Sequence, residues 1–358
     1  MISRLKKLPV VVYIVVFLAL LAPSYLLWQQ TTLASRIAHH CYNPNELLEN
    51  CFIDYYKELA HERGTDIALS VLHRRIKIDP TLVTNCHEAM HEIGHEAYEE
   101  YGSIAEAYAH ADYGCWGGYL HGVVEEALRG KSTSDITPET LRTMCDGVKS
   151  AGEMSFAHFS CVHGMGHALM LVSYNDLPNA LLRCDDLANG WEAAQCVNGA
   201  FMQNMFSKYN DHASNYLPKD DLHFPCSIAR EKDQKACYQV QGKLILDGLG
   251  GDLAKSFAFC AGLSTQTLRS ACGNGLGAAV SNRSAYVPAR VVKLCALAGI
   301  LEEDCLYGAM TDLEGVAGDA SLGEKVCALL PLEKNTTCER VLLQSHKDFP
   351  GSIKERAN

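Results

Sequence analysis

Apolar positions run unbroken only once along the chain. From Leu8 to Trp28 the sequence is essentially uncharged and about as long as a bilayer crossing requires. Arg4, Lys6 and Lys7 precede this run, which predicts a cytoplasmic N-terminus and an exported remainder. The expected arrangement is a basic stub at 1–7 and a transmembrane signal anchor at 8–28. A cleaved signal peptide is the competing reading, because Pro9 to Ala22 has the length of a secretory h-region. The apolar run continues through Tyr25-Leu-Leu-Trp28 without a convincing small-x-small site, and this favours the anchor.

Past the leader the hydrophobic pattern becomes helical and repeats. Amphipathic stretches end in cysteine at Leu141-Arg-Thr-Met-Cys145, Ala180-Leu-Leu-Arg-Cys184, Val291-Val-Lys-Leu-Cys295 and Glu324-Lys-Val-Cys327. A second cysteine then opens a helix as C-x-x-G: Cys115-Trp-Gly-Gly118, Cys161-Val-His-Gly164, Cys196-Val-Asn-Gly199, Cys272-Gly-Asn-Gly275 and Cys305-Leu-Tyr-Gly308. Each unit reads as a helix, a short loop and a second helix, with a disulfide clipping the end of one to the start of the next. From Cys161 the second cysteines step by 35, 41, 35, 33 and 33 residues, the period of helical-hairpin repeats. A glycine one turn into a helix weakens it, so its recurrence predicts close helix packing there. Few segments alternate with the two-residue period of strands. The expected fold is all-α: disulfide-clipped helical-hairpin repeats forming an α-solenoid or a closed α/α toroid, or else a conventional helical bundle with incidental disulfides.

The sixteen cysteines fall into neighbouring couples, which predicts Cys41–Cys51, Cys86–Cys115, Cys145–Cys161, Cys184–Cys196, Cys226–Cys237, Cys260–Cys272, Cys295–Cys305 and Cys327–Cys338. Such a set belongs in an oxidising compartment, so the main domain is expected in a periplasm, a secretory lumen or the extracellular space. CxxC pairs are absent, which argues against a zinc–thiolate protein. The expected layout continues with a linker and first hairpin at 29–80, histidine-rich repeats at 81–210, structural repeats at 211–345 and a polar tail at 346–358. Setting aside the three basic residues of the leader, the exported part carries a net charge of about −14. That acidity, without any basic cluster, argues against nucleic acid as a partner. The membrane is the expected partner through the N-terminal helix; the sequence identifies no substrate or protein partner.

Eight of the fifteen histidines lie between Cys86 and His167. Five fall in ligand-like patterns: His91-Glu-Ile-Gly-His95, His121, and His163-Gly-Met-Gly-His167. On a helix, residues i and i+4 share a face and can offer two imidazoles to one ion. His121 and His167 both lie six residues after a helix-opening cysteine, a slot that later repeats fill with Met202, Lys243, Ala278 and Thr311. The matching Gly-His endings suggest His95 as a third member of that slot. His87 and Glu125 are further candidate ligands. Zinc is the first expectation for the metal, with copper or iron as alternatives.

The stretch Cys86-His-Glu-Ala-Met-His-Glu-Ile-Gly-His95 holds two overlapping HExxH patterns. It resembles the motif of zincin-type metallohydrolases over about ten residues, with no whole-chain match. The resemblance implies His91 and His95 as zinc ligands and Glu92 as the general base. Three functions follow as expectations: a membrane-anchored zinc hydrolase first, a copper- or iron-dependent oxidoreductase at the same histidines, or a non-catalytic scaffold binding metal or protein.

Overall fold

The computed structural model describes residues 48–78, 80–149, 155–209, 213–317 and 319–348. The apolar run 8–28 and Cys41 lie outside these residues, and among the described ones no helix is long and apolar enough to cross a membrane. The chain divides into two compact units, Met1–Tyr55 and Tyr56–Asn358, of which the second holds the helical repeats and the histidine cluster.

Among the described residues the fold is helical throughout, without strands. α1 (Leu48–Arg63) and α2 (Thr65–Ile78) precede α3 (Cys86–Tyr101), α4 (Ile104–Ala109) and α5 (Gly118–Leu128). Helical hairpins follow: α6 (Pro138–Thr143) with α7 (Phe156–Val172), and α8 (Leu177–Cys184) with α9 (Gly190–Phe206). Next come α10 (Glu231–Val240) and α11 (Gly242–Gly248), then α12 (Leu253–Ala261) with α13 (Gln266–Arg283). α14 (Pro288–Cys295) pairs with α15 (Glu302–Ala317), and α16 (Ser321–Ala328) with α17 (Leu332–Asp348). The sequence dictates many of the starts. Ser155, Asn189 and Thr265 accept hydrogen bonds from the first-turn amides of α7, α9 and α13. Pro138 and Pro288 open α6 and α14, where a missing N–H costs nothing.

Seven of the expected disulfides join the described cysteines, from Cys86–Cys115 to Cys327–Cys338. They place the folded domain in an oxidising, extracytoplasmic compartment. The second cysteine was expected to open its helix; Cys115 does lie just before α5, but Cys161, Cys196, Cys237, Cys272 and Cys305 sit inside α7, α9, α10, α13 and α15, because each of these helices starts upstream of its clip. The glycines set how closely neighbours approach. A Cβ on Gly199, Gly275 or Gly308 would stand 2.0, 1.9 and 1.9 Å from the carbonyl oxygens of His163, Gln239 and Asn274. Each of these carbonyls lies two residues after the cysteine of the preceding inner helix. The C-x-x-G glycine is therefore the contact point between successive repeats. In the Cys237 repeat, which lacks that glycine, the inner helix breaks at Gln241. It resumes at Gly242, whose Cβ would lie 2.3 Å from the Gly275 carbonyl carbon.

The inner helices α3, α5, α7, α9, α10–α11, α13 and α15 pack in series. The series closes on itself, because α15 also packs against the turn Cys115–Gly117 that opens α5. Trp116 Nε1 donates to Asp312 Oδ1 at 3.1 Å across this seam. Of the three expected architectures, solenoid, toroid and bundle, this contact is the one a closed ring makes. The expected polar tail at 346–358 is corrected at its start: α17 runs through Asp348, and His346 Nε2 pairs with Glu314 at 2.9 Å. Residues 349–358 lie outside the described residues.

Candidate metal centre

The stretches of α3, α5 and α7 beside the cystines converge on one point: Cys86 opens α3, Cys115 lies just before α5, and Cys161 is the sixth residue of α7, which puts His163 and His167 beyond its first turn. The rings of His87, His91, His163 and His167 surround that of His121, with centroids 5.3, 5.3, 4.9 and 5.4 Å from it. Three sets of side chains have donor atoms within 4.8 Å of one another: His87, His91 and His121; His121, His163 and His167; and His91, Glu125 and His167. The described residues therefore contain histidine and glutamate groups compatible with binding a metal ion.

Hydrogen bonds fix much of the ring orientation. His87 Nδ1 donates to the Cys115 carbonyl at 2.8 Å, and its Nε2 faces His91 Nε2 at 3.0 Å. His167 Nδ1 meets Gln203 Oε1 at 3.0 Å, while its Nε2 faces His163 Nε2 at 3.2 Å. His121 is 2 % exposed, and neither of its ring nitrogens has a hydrogen-bond partner; His163 Nδ1 also has none. Buried polar atoms without partners are rare and costly, and a cation is one way to satisfy them.

Burial pushes His121 well below the ordinary imidazole value, and the surrounding histidines add to it. His163 is lowered in the same way, and burial brings His167 down to about 3. These rings therefore present lone pairs rather than protons at neutral pH. Glu125 is the counterweight. Burial alone would raise its carboxyl, but the charge and hydrogen bond of His91, then those of His95, hold it well below the usual carboxylate range. Glu125 thus has a cationic partner in His95, which its hydrogen bonds to Glu125 and Glu92 raise to about 9 against burial, while His121, His163 and His167 stay neutral donors.

His95 and Glu92 stand outside all three groups, which corrects the placement expected from the HExxH register. His95 Nε2 lies 2.7 Å from Glu125 Oε2, with Glu92 and Arg129 beside its Nδ1. Glu92 is held by Lys57 Nζ at 2.9 Å. The physical reason is the position of the cystine. Cys86 opens α3 and is tied to the start of α5, so the turn that meets His121 carries His87 and His91; His95 lies one turn farther along. The motif facing the centre is thus the first of the two overlapping HExxH patterns, His87-Glu88-Ala-Met-His91.

The cluster borders a cavity of about 510 Å³ inside the ring. His87, Glu88, His121 and His163 contribute to its wall. The slot six residues after the second cysteine of a couple also lines it, through Met202, Lys243, Ala278 and Thr311. Sequence reasoning missed the tier above that slot. Asn198, Gln239, Asn274 and Tyr307, each two residues after its cysteine, line the same cavity. The cysteine register could have found them, and it also places Gln203 and Asp312 alike, each seven residues after its cysteine. No family model, curated protein or solved structure matches the chain.

Proposed function

We propose that the protein is an exported metalloenzyme, a zinc-dependent hydrolase anchored to the membrane by residues 8–28, with its cation held by the buried imidazoles around His121. The observation that carries this reading is His121 itself: buried, without a hydrogen-bond partner on either nitrogen, and surrounded by four other imidazole rings. A divalent cation among neutral imidazoles acts as a Lewis acid and makes water a nucleophile near neutral pH. His87, His121 and His163 border the cavity, so a substrate held there reaches the centre directly. Phe159, Met202 and Phe206 supply an apolar wall that limits competing water. Glu88, on the same wall beside His87, takes the role of general base that the zincin resemblance assigns to the glutamate after the first histidine. Glu125 accepts from His95 Nε2 and lies 2.9 Å from His91 Nδ1, which helps to set both rings.

Met202 and Met205 line the same cavity, and soft thioethers beside imidazoles keep a copper-dependent oxidoreductase as the second reading. Elemental analysis of protein purified without added ions, with an electron paramagnetic resonance spectrum, separates the two. Zinc with no paramagnetic signal supports the hydrolase, and stoichiometric copper or iron replaces it with the redox enzyme. A panel of nitrophenyl esters and phosphoesters then tests turnover. Glu88→Gln should retain metal and lose activity, whereas Glu92→Gln should keep both. Metal without turnover on any substrate leaves a metal-binding scaffold.

A further inference from the structure

We infer that the cluster seats two divalent cations, one on the His87–His91 pair and one on the His163–His167 pair, with His121 between them. This rests on the reading of the cluster as a metal centre and concerns how many ions it takes. Imidazole nitrogens bind zinc at about 2.0–2.1 Å, so two ligands of one ion can stand no more than about 4.2 Å apart. Donors of a single site would therefore all fall in one group at the 4.8 Å spread that defines the three triads. They do not: among the described residues no triad joins His87 to His163 or His167.

Proton positions support the same division. The Cys115 carbonyl can only accept, so His87 Nδ1 carries the proton and Nε2 presents a lone pair. Gln203 Oε1 places the His167 proton on Nδ1 in the same way, leaving its Nε2 bare. Each bare nitrogen faces the Nε2 of its i+4 neighbour, at 3.0 Å for His91 and 3.2 Å for His163. Without a cation one ring of each couple donates its Nε2–H to the other; with both Nε2 atoms bare, the same spacing suits two ligands of one tetrahedral or octahedral ion. The cluster contains this arrangement twice. A single central ion would use one of the pairs and leave the other as an imidazole–imidazole hydrogen bond.

His121 belongs to both imidazole triads, and both of its nitrogens lack partners. The third triad has a different role. Glu125 Oε1 lies 2.9 Å from His91 Nδ1 and 3.6 Å from His167 Nδ1, so one carboxylate oxygen addresses the back of one ring from each pair. Glu125 is thus the one carboxylate that stands beside a ring of each pair. His87 from the first pair, His163 from the second and His121 all border the cavity. One bound molecule could therefore meet both ions, the arrangement that two-metal hydrolases use on an ester or phosphoester.

The test is native mass spectrometry of the full chain, stripped with a chelator and reloaded with zinc chloride alone. The wild type should carry two zinc ions per chain. His87→Ala and His163→Ala should each carry one, with retained circular dichroism showing that the variants fold. A wild-type count of one, lost entirely in either variant, overturns the two-ion centre and leaves a one-ion site. A count of zero removes the metal centre itself. The wild-type count decides the matter even if a variant fails to fold.

Discussion

Trp116 and Asp312 stand 196 positions apart in sequence, yet the indole N–H donates to the carboxyl oxygen at 3.1 Å and joins the last inner helix to the turn that opens α5. Gly315 lies against the same ring; a Cβ there would come within 2.0 Å of Trp116 Cε2. The seam is the contact that turns a row of hairpins into a ring. Trp116→Phe keeps the bulk and removes the donor, so it should lower the stability of the domain by about 1–3 kcal/mol. Urea unfolding with the disulfides intact measures this, and an unchanged midpoint would mean that the seam is not a stabilising joint.

Asp312 gives the same seam a pH dependence. Burial raises its carboxyl to about 7, against the hydrogen bond from Trp116, which lowers it. The folded value lies above the ordinary 3.8, so the folded state binds a proton that the unfolded chain has already released between the two. This contribution to stability is complete below pH 3.8 and is lost as pH rises through about 7. Asp312→Asn should flatten the stability–pH curve over that interval and leave the variant more stable than wild type above it. Chemical denaturation at pH 5, 6, 7 and 8 provides the check; parallel curves would show that Asp312 titrates normally.

The C-x-x-G glycines should be intolerant of a single methyl group. Gly199→Ala drives a Cβ to 2.0 Å from the His163 carbonyl oxygen, backbone against backbone, with no flexible side chain to yield. A loss of about 1–3 kcal/mol or more is expected. Because the clash lies at a metal-site residue, metal affinity should fall as well. Gly190→Ala, in the first turn of the same helix with nothing within 4 Å, is the control and should be neutral. Equal melting temperatures for the two variants would contradict the packing account.

Much of this was legible because the cysteines act as rulers. The second cysteine of each couple sets a register: three residues beyond it the packing glycine was foreseen, and the slot six beyond, doubtful in sequence at Lys243 for want of that glycine, lines the cavity at His121, Met202, Lys243, Ala278 and Thr311 but not at His167. The rule failed in α3. There Cys86 is the first member of its couple rather than the second, so counting from Gly-His endings selected His95, one turn away from the histidines that meet His121. Ring closure was also invisible, since Trp116 and Asp312 are exceptions in residue type at repeat positions that hold Val162 and Val197, or Ala168 and Ala279, elsewhere. Nor could local spacing show Glu92 turning to Lys57, a contact made from a different helix.

Chelation should destabilise the protein if the cluster holds a cation in the folded state only. Free zinc at 100 times its dissociation constant would add about 2.7 kcal/mol, so removing it should lower the melting temperature and restoring it should recover the loss. Magnesium, which prefers oxygen ligands, should not substitute. A melting temperature indifferent to chelator and zinc would argue that the folded domain holds no such cation.

The most direct measurement is a calorimetric zinc titration of the chelator-stripped full chain beside its His121→Ala variant. Binding in the wild type that is weakened at least a hundredfold in the variant is the predicted result. Equal affinity in the two proteins, or no heat in either, would contradict a metal centre built around His121.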